Sequence, residues 1–90
     1  MKYEWDEGKR LANLQKHGID FIDIISFEWD SAVIAEDSRL EYGEQRYAAY
    51  GFIENRLCCL VYTMRKDITR IISLRSANEK ERKQYEETIS

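Results

Sequence analysis

Residues 57–75 read LCCLVYTMRKDITRIISLR, and the fold turns on how this stretch is read. Its opening run, LCCLVYTM, is apolar on both faces of a strand, which predicts a central strand covered on each side. RKDI then supplies a polar turn. TRIISLR follows, rich in the β-branched residues that suit a pleated, half-buried surface. The two runs predict an antiparallel pair at the heart of a sheet. Upstream, RYAAYGFI (46–53) predicts another strand, with Glu54 and Asn55 as its hairpin turn and Gly51 marking a bulge or a close approach. AVIA (32–35) is a brief strand. EDSRLEYGEQ (36–45) is a polar connection whose acidic part is read as a solvated loop rather than a contact. KYEW (2–5), short and alternating, predicts a first strand.

Between the first strand and the rest lie two helical signals. Asp6 is placed as an N-cap, with Glu7 in the first turn where negative charge suits the helix dipole. Leu11 and Leu14 form a narrow apolar stripe, Lys9, Asn13 and Lys16 share another face, and Gly18 ends the helix. Asp20 then caps a predicted second helix, FIDIISFEW (21–29), where Ile19 and Ile24 are spaced for a hydrophobic staple. At the far end, Asn78 and Glu81 form a capping-box pattern opening a mostly charged helix, EKERKQYEETI (79–89), with Tyr85 and Ile89 as its apolar pair. The order β-α-α-β-β-β-β-α predicts an α+β fold. Two N-terminal helices pack on one face of a small antiparallel sheet, and a C-terminal helix follows the last strand.

The chain has 90 residues, enough for a single domain over 1–90 with one modest core. No run is long and apolar enough to span a bilayer, and MKYEWDEG lacks a signal-peptide core, so a cytoplasmic location without membrane partners is expected. Cys58 and Cys59 are adjacent and point to opposite faces of a strand, so they read as small buried hydrophobes in a reducing compartment. The net charge is −3, which argues mildly against a nucleic-acid partner. Its distribution points the other way: residues 28–54 carry seven acids and two bases, and residues 56–83 carry eight bases and three acids. Such asymmetry marks a polar binding surface unless the two segments fold side by side and cancel.

Alternation along the last strand puts Arg70, Ile72 and Leu74 on one side and Thr69, Ile71, Ser73 and Arg75 on the other. The first side is assigned to the core, leaving Ser73 and Arg75 on an open face. Arg65 ends the neighbouring strand and Lys66 lies in the turn beside it, so guanidinium groups are expected to cluster around one end of the sheet. Arginine forks match phosphate oxygens and keep their charge at any physiological pH. The plainer alternative is solvated strand-end charges, or partners for the acids of 28–54. No GxGxxG, P-loop or nucleophile elbow occurs, and one histidine with two adjacent cysteines makes no zinc site. No metal or cofactor is expected.

EWDEGKRLANLQKHGIDF (4–21) resembles the N-terminal signature of the BrnT toxins of bacterial type II toxin–antitoxin systems, with its W-D, K, N and K-H-G followed by an aromatic. Glu44 and Arg46 leading into a strand with Gly51, then LVYTMR (60–65), RIISLRSA (70–77) and EKERKQYE (79–86), resemble the same family's later motifs in order. Leu74 stands where alanine is commoner, a packing change. The pI of about 5.2 is the larger departure, since a protein that cuts RNA usually gathers phosphates with surplus positive charge. The resemblance implies a RelE-like fold and a ribonuclease that arrests translation. It also implies neutralisation by a cognate ribbon-helix-helix antitoxin (BrnA-like), in a 2:2 heterotetramer that binds the operon's promoter DNA only through the antitoxin.

Metal-free RNA cleavage needs a base for the 2′-OH, donors for the phosphorane and an acid for the departing 5′-oxygen. Arg75 and Arg65 suit the donor role, and Lys66, Arg70, Ser73 and Lys16 are candidates to bind the RNA. Proton transfer falls to His17, Glu54 or Tyr85. His17 has the natural pKa for it, yet its last-turn position before Gly18 better suits bonding the free carbonyls of a helix end, so the arginines rather than the histidine are expected to carry the site. Tyr85 is equally suited to packing the last helix, and Glu54 to a turn. A different class remains open: a non-catalytic module that docks a DNA-binding partner as co-repressor.

Overall fold

The structure, a computed structural model, describes residues 1–37 and 43–90; of the predicted polar connection over 36–45, residues 38–42 lie outside the described residues, while Glu36 and Asp37 belong to a strand rather than a loop. Five strands, β1 (Lys2–Glu4), β2 (Val33–Asp37), β3 (Arg46–Ile53), β4 (Arg56–Arg65) and β5 (Ile68–Ser76), form one sheet in the order β1-β5-β4-β3-β2. The apolar run 57–64 is the central strand β4, with Leu57, Cys58, Cys59, Leu60 and Tyr62 all buried. Both hairpin turns fall where polar residues interrupt the apolar runs, and Glu54 and Lys66 take positive φ there (56° and 57°).

The sheet is mixed rather than antiparallel, because β1 runs parallel to β5, pairing Lys2 with Ile68 and Glu4 with Arg70. A short hairpin forces antiparallel pairing, but no hairpin joins β1 to β5, so their relative direction is free. Helix α1 (Glu7–His17) carries the predicted caps: Asp6 accepts from the Lys9 N–H at 2.9 Å, and Gly18 (φ 72°) donates to the Leu14 carbonyl at 2.8 Å.

The predicted second helix is instead a pair of 3-10 turns, Phe21–Ser26 and Trp29–Ser31. At three residues per turn, Phe21, Ile24 and Phe27 fall on one side and are all buried, while Ile22 and Ile25 point outward. Asp20 does cap this segment, accepting from the Ile22 N–H at 3.1 Å, and the Arg10 guanidinium ties it to α1 at 2.9 Å. Gly51 marks a close approach: a Cβ there would sit 2.6 Å from Cζ of Phe27.

The orientation of α1 also departs from expectation. Leu11 and Leu14 are exposed, and the buried residue of the helix is Asn13. Its Nδ2 donates to the carbonyls of Leu74 (2.7 Å) and Ile19 (3.0 Å), and its Oδ1 accepts from the Leu74 N–H (3.2 Å). β1 stops alongside Arg70, so the edge of β5 beyond it presents unpaired peptide groups. A carboxamide carries a donor and an acceptor as a peptide does, and Asn13 completes the ladder in place of a sixth strand.

The simple alternation of β5 fails at one point. Val61 pairs with Ser73 but Tyr62 pairs with Ile71, so Ile72 is an extra, bulged residue. The bulge puts Thr69, Ile71 and Leu74 on the buried face, and moves Arg70 from the predicted core side to the face of Ser73 and Arg75. Helix α2 (Glu79–Ile89) opens with both arms of the capping box at 2.8 and 2.9 Å. It docks through Tyr85, which packs with Phe52, Leu57 and Ala77; Ile89 is exposed and does not join it. Thus α1 and the 3-10 turns cover one face of the sheet and α2 covers one end of the other; among the described residues no further helix covers that second face, on which Cys59 and Thr63 are nonetheless buried.

Candidate active site

Cross-strand register arranges the open face in rows. One row runs Asp37, Arg46, Thr63, Arg70, Glu4. The next is made of small side chains, Ala35, Ala48, Val61 and Ser73. The third runs Val33, Tyr50, Cys59, Arg75. Over the last two rows lies a cleft of about 320 Å³, walled by Arg75 and Glu81 on one side and by Glu36 and Asp37 on the other.

Arg75 dominates the cleft, and its guanidinium is held. Nη1 and Nη2 donate to the two carboxylate oxygens of Glu81 at 2.8 and 2.9 Å, a bidentate fork. The Glu81 carboxylate also accepts from the Asn78 N–H and, at 3.3 Å, from the Tyr50 hydroxyl. These donors, Arg75 foremost, hold its carboxyl down at about 2. Glu81 in turn holds Arg75 still more firmly as a cation. Burial, with the Cys59 thiol and the Glu81 carboxylate nearby, pushes the Tyr50 phenol far above its ordinary value, so it remains a proton donor.

The arginines do not gather at one end of the sheet as expected. Arg75 faces Cys59 and Arg65 faces Ile68, so six residues of β4 separate them, about 20 Å at 3.3 Å per residue. In an antiparallel hairpin the end of one strand lies beside the start of the next, which puts Arg65 and Arg75 at opposite ends. Arg70 and Ser73 lie between them on the same face. Arg70 pairs with Glu4 at 2.9 Å, and Arg65 meets Glu44 at 3.6 Å. Of these ion pairs only the last uses an acid from 28–54. Lys66 is exposed in the β4–β5 turn.

His17 ends α1, half-buried, and burial followed by the charges of Lys16 and Arg75 lowers its pKa, so at pH 7 the imidazole is neutral. Lys16 beside it is exposed. Glu54 lies in a separate polar cleft of about 530 Å³ with Gly18, Asp23 and Arg56. Tyr85 is buried one turn beyond Glu81, and its hydroxyl donates to the Ser31 carbonyl at 2.7 Å. The structure therefore brings Ser73 and Arg75 into one cleft, which His17 does not line, while Arg65, Lys66 and Glu54 stand apart. In the sequence Glu81 reads only as a capping residue, and Tyr50 carries no functional signal of its own. Pairing RYAAYGFI against LCCLVYTM in register was the signal that places Tyr50 beside Cys59.

Among the described residues, no group of three or more His, Cys, Asp or Glu is arranged to hold a metal ion, and no helix is long and apolar enough to cross a membrane. No curated protein matches the chain. The family model for the ribonuclease toxin BrnT of type II toxin–antitoxin systems matches residues 5–81, taking in α1, strands β2 to β5 and the first turn of α2 with Glu81. The match spans most of the sequence and includes the whole cleft, and the chain belongs to the BrnT family of ribonuclease toxins.

Proposed function

We propose that the chain cleaves RNA without a metal ion, arresting translation, and does so in the cleft around Arg75. In such a cleavage the 2′-oxygen attacks the adjacent phosphorus and the bond to the 5′-oxygen breaks. A base takes the 2′-OH proton, and an acid supplies one to the leaving oxygen. A guanidinium fork placed at the phosphorane stabilises its developing charge. The observation that carries this reading is the position of Arg75 beside a floor of Ala35, Ala48, Val61 and Ser73, side chains short enough for a ribose–phosphate backbone to reach the fork.

His17, whose lowered pKa leaves it neutral at pH 7, is our candidate proton acceptor, although it lies outside the lining of the cleft. Arg65, Arg70 and Ser73 mark a track along the same face for flanking phosphates, with Lys66 at one end of it and Lys16 beside His17. The family implies an antitoxin. We take it to be of ribbon-helix-helix type, assembling as a 2:2 heterotetramer that represses its own promoter.

The test is cleavage of total RNA in EDTA, and of mRNA in a translating extract, by the wild type and by Arg75→Ala. Removing one preorganised charge donor costs on the order of 10²-fold in rate. An Arg75→Ala protein that cuts as fast as the wild type in both assays would sink the assignment. Tyr85→Phe and Glu54→Gln in the same assays decide whether either moves a proton. A second reading has its own observation: Arg65, Arg70 and Arg75 are each already paired with a carboxylate, in a protein of net charge −3. A non-catalytic co-repressor would look like this, and producing it without its partner would leave cells unharmed.

A further inference from the structure

We infer that Glu81 is an internal occupant of the phosphate site, so that an RNA phosphodiester binds Arg75 by displacing this carboxylate. The inference rests on the reading of Arg75 as the phosphate-binding group and goes beyond it by assigning a competitor built into the chain. A carboxylate presents two oxygens to a guanidinium with the spacing that two phosphate oxygens offer, and both are recognised by the same fork. Here the Glu81 oxygens take Nη1 and Nη2 at 2.8 and 2.9 Å, the positions a bidentate phosphate would use.

The carboxylate is not dependent on Arg75 for its place. It also accepts from the Asn78 N–H and the Tyr50 hydroxyl, so it has a seat to fall back on when the fork is taken. The element that carries it is lightly held. Of α2's eleven residues only Tyr85 is buried, and the first turn rests on the sheet through the Arg75–Glu81 pair and the Tyr50–Glu81 bond. The cleft is open to solvent beside the pair, with Arg75 about a third exposed, so an incoming anion meets the fork from the cleft side. Protonation does not release the clamp at any pH near neutrality, because Glu81 stays ionised down to about 2. A competing anion is what opens it. Glu81 thereby sets a threshold: a ligand needs a doubly presented oxyanion and further contacts along the Arg70–Arg65 track to win.

The experiment measures binding of a fluorescent single-stranded RNA oligomer, and separately of inorganic phosphate, to the whole chain and four variants. Glu81→Gln keeps a capping-box side chain at the third helical position while removing the charge. Glu79→Gln removes an equal charge from the same helix turn at a site that faces solvent and pairs only loosely with Lys83. Arg75→Ala and Arg75→Ala/Glu81→Gln complete the cycle.

Glu81→Gln is expected to bind RNA roughly tenfold more tightly than wild type, a gain that equals about 1.4 kcal/mol. Glu79→Gln is expected to gain no more than about twofold by screening-limited charge alone. The Glu81→Gln gain should vanish in the Arg75→Ala background. If Arg75→Ala weakens binding but Glu81→Gln binds no better than Glu79→Gln, the occupant role is wrong and the Arg75 reading stands. Binding unchanged by Arg75→Ala overturns both. A gain from Glu81→Gln that persists without Arg75 overturns the inference in favour of a general charge effect.

Discussion

Replacing Asn13 with alanine removes one side chain and strands three backbone groups. The Leu74 N–H loses its acceptor, and the Leu74 and Ile19 carbonyls lose their donor. The site is buried, so water does not freely take the amide's place. At about 1 kcal/mol net for each hydrogen bond, the loss sums to about 3 kcal/mol. Alanine's better helix propensity returns about 0.5 kcal/mol, leaving a destabilisation of about 2.5 kcal/mol. For a domain of this size, that corresponds to a fall in Tm of about 10–20 °C.

Thermal and urea denaturation measure the global loss. Amide hydrogen exchange of Leu74 measures the local one, since its protection comes from Asn13 Oδ1. Asn13→Asp should be worse than alanine, because it aims a carboxylate at two carbonyl oxygens. A cost under about 1 kcal/mol for Asn13→Ala, with the Leu74 amide still protected, would refute the idea that this carboxamide stands in for a strand.

Acid stability should follow Glu81. Its folded value of about 2 lies below its ordinary 4.5, so the ion pair stabilises the fold fully above pH 4.5 and is lost as pH falls towards 2. Allowing for the partial exposure of Arg75, wild type should lose on the order of 2 kcal/mol more than Glu81→Gln across that window, read by urea titrations at stepped pH. His17 should titrate below 6.5 by NMR, and Arg75→Ala should move it upward by removing a nearby positive charge. Gly51→Ala should cost about 1–3 kcal/mol in thermal unfolding, because the new methyl meets the buried Phe27 ring, itself wedged against Trp29.

The sheet was largely legible in the amino acids. β3, the two hairpin turns, β4, β5 and the capping box on Asn78 fall where apolar runs, β-branched residues and polar interruptions place them. What escaped has specific causes. Apolar residues at 21, 24 and 27 satisfy a three-residue turn as well as a 3.6-residue one, so the pattern predicts an α-helix where 3-10 turns form. Asn13 shares a helix face with two lysines, and side-chain polarity does not reveal that its carboxamide takes the place of a peptide group. Strict alternation through Ile72 leaves no room for the bulge and so puts Arg70 on the wrong face. Of the site, Ser73 and Arg75 on the open face were readable from the strand. The carboxylate that grips Arg75 was not, because helix α2 reaches back over the sheet only in three dimensions.

The first strand and the last lie side by side, and the first helix is pinned to Leu74 across 61 residues of sequence. A ribosome makes the N-terminal end first, so β1 and α1 emerge with their partner strand still unsynthesised. Long-range closure of this kind comes late in folding. Arg75 lies on that same late strand. A nascent chain therefore has neither a closed sheet nor the Arg75–Glu81 pair until β5 and the first turn of α2 have left the exit tunnel.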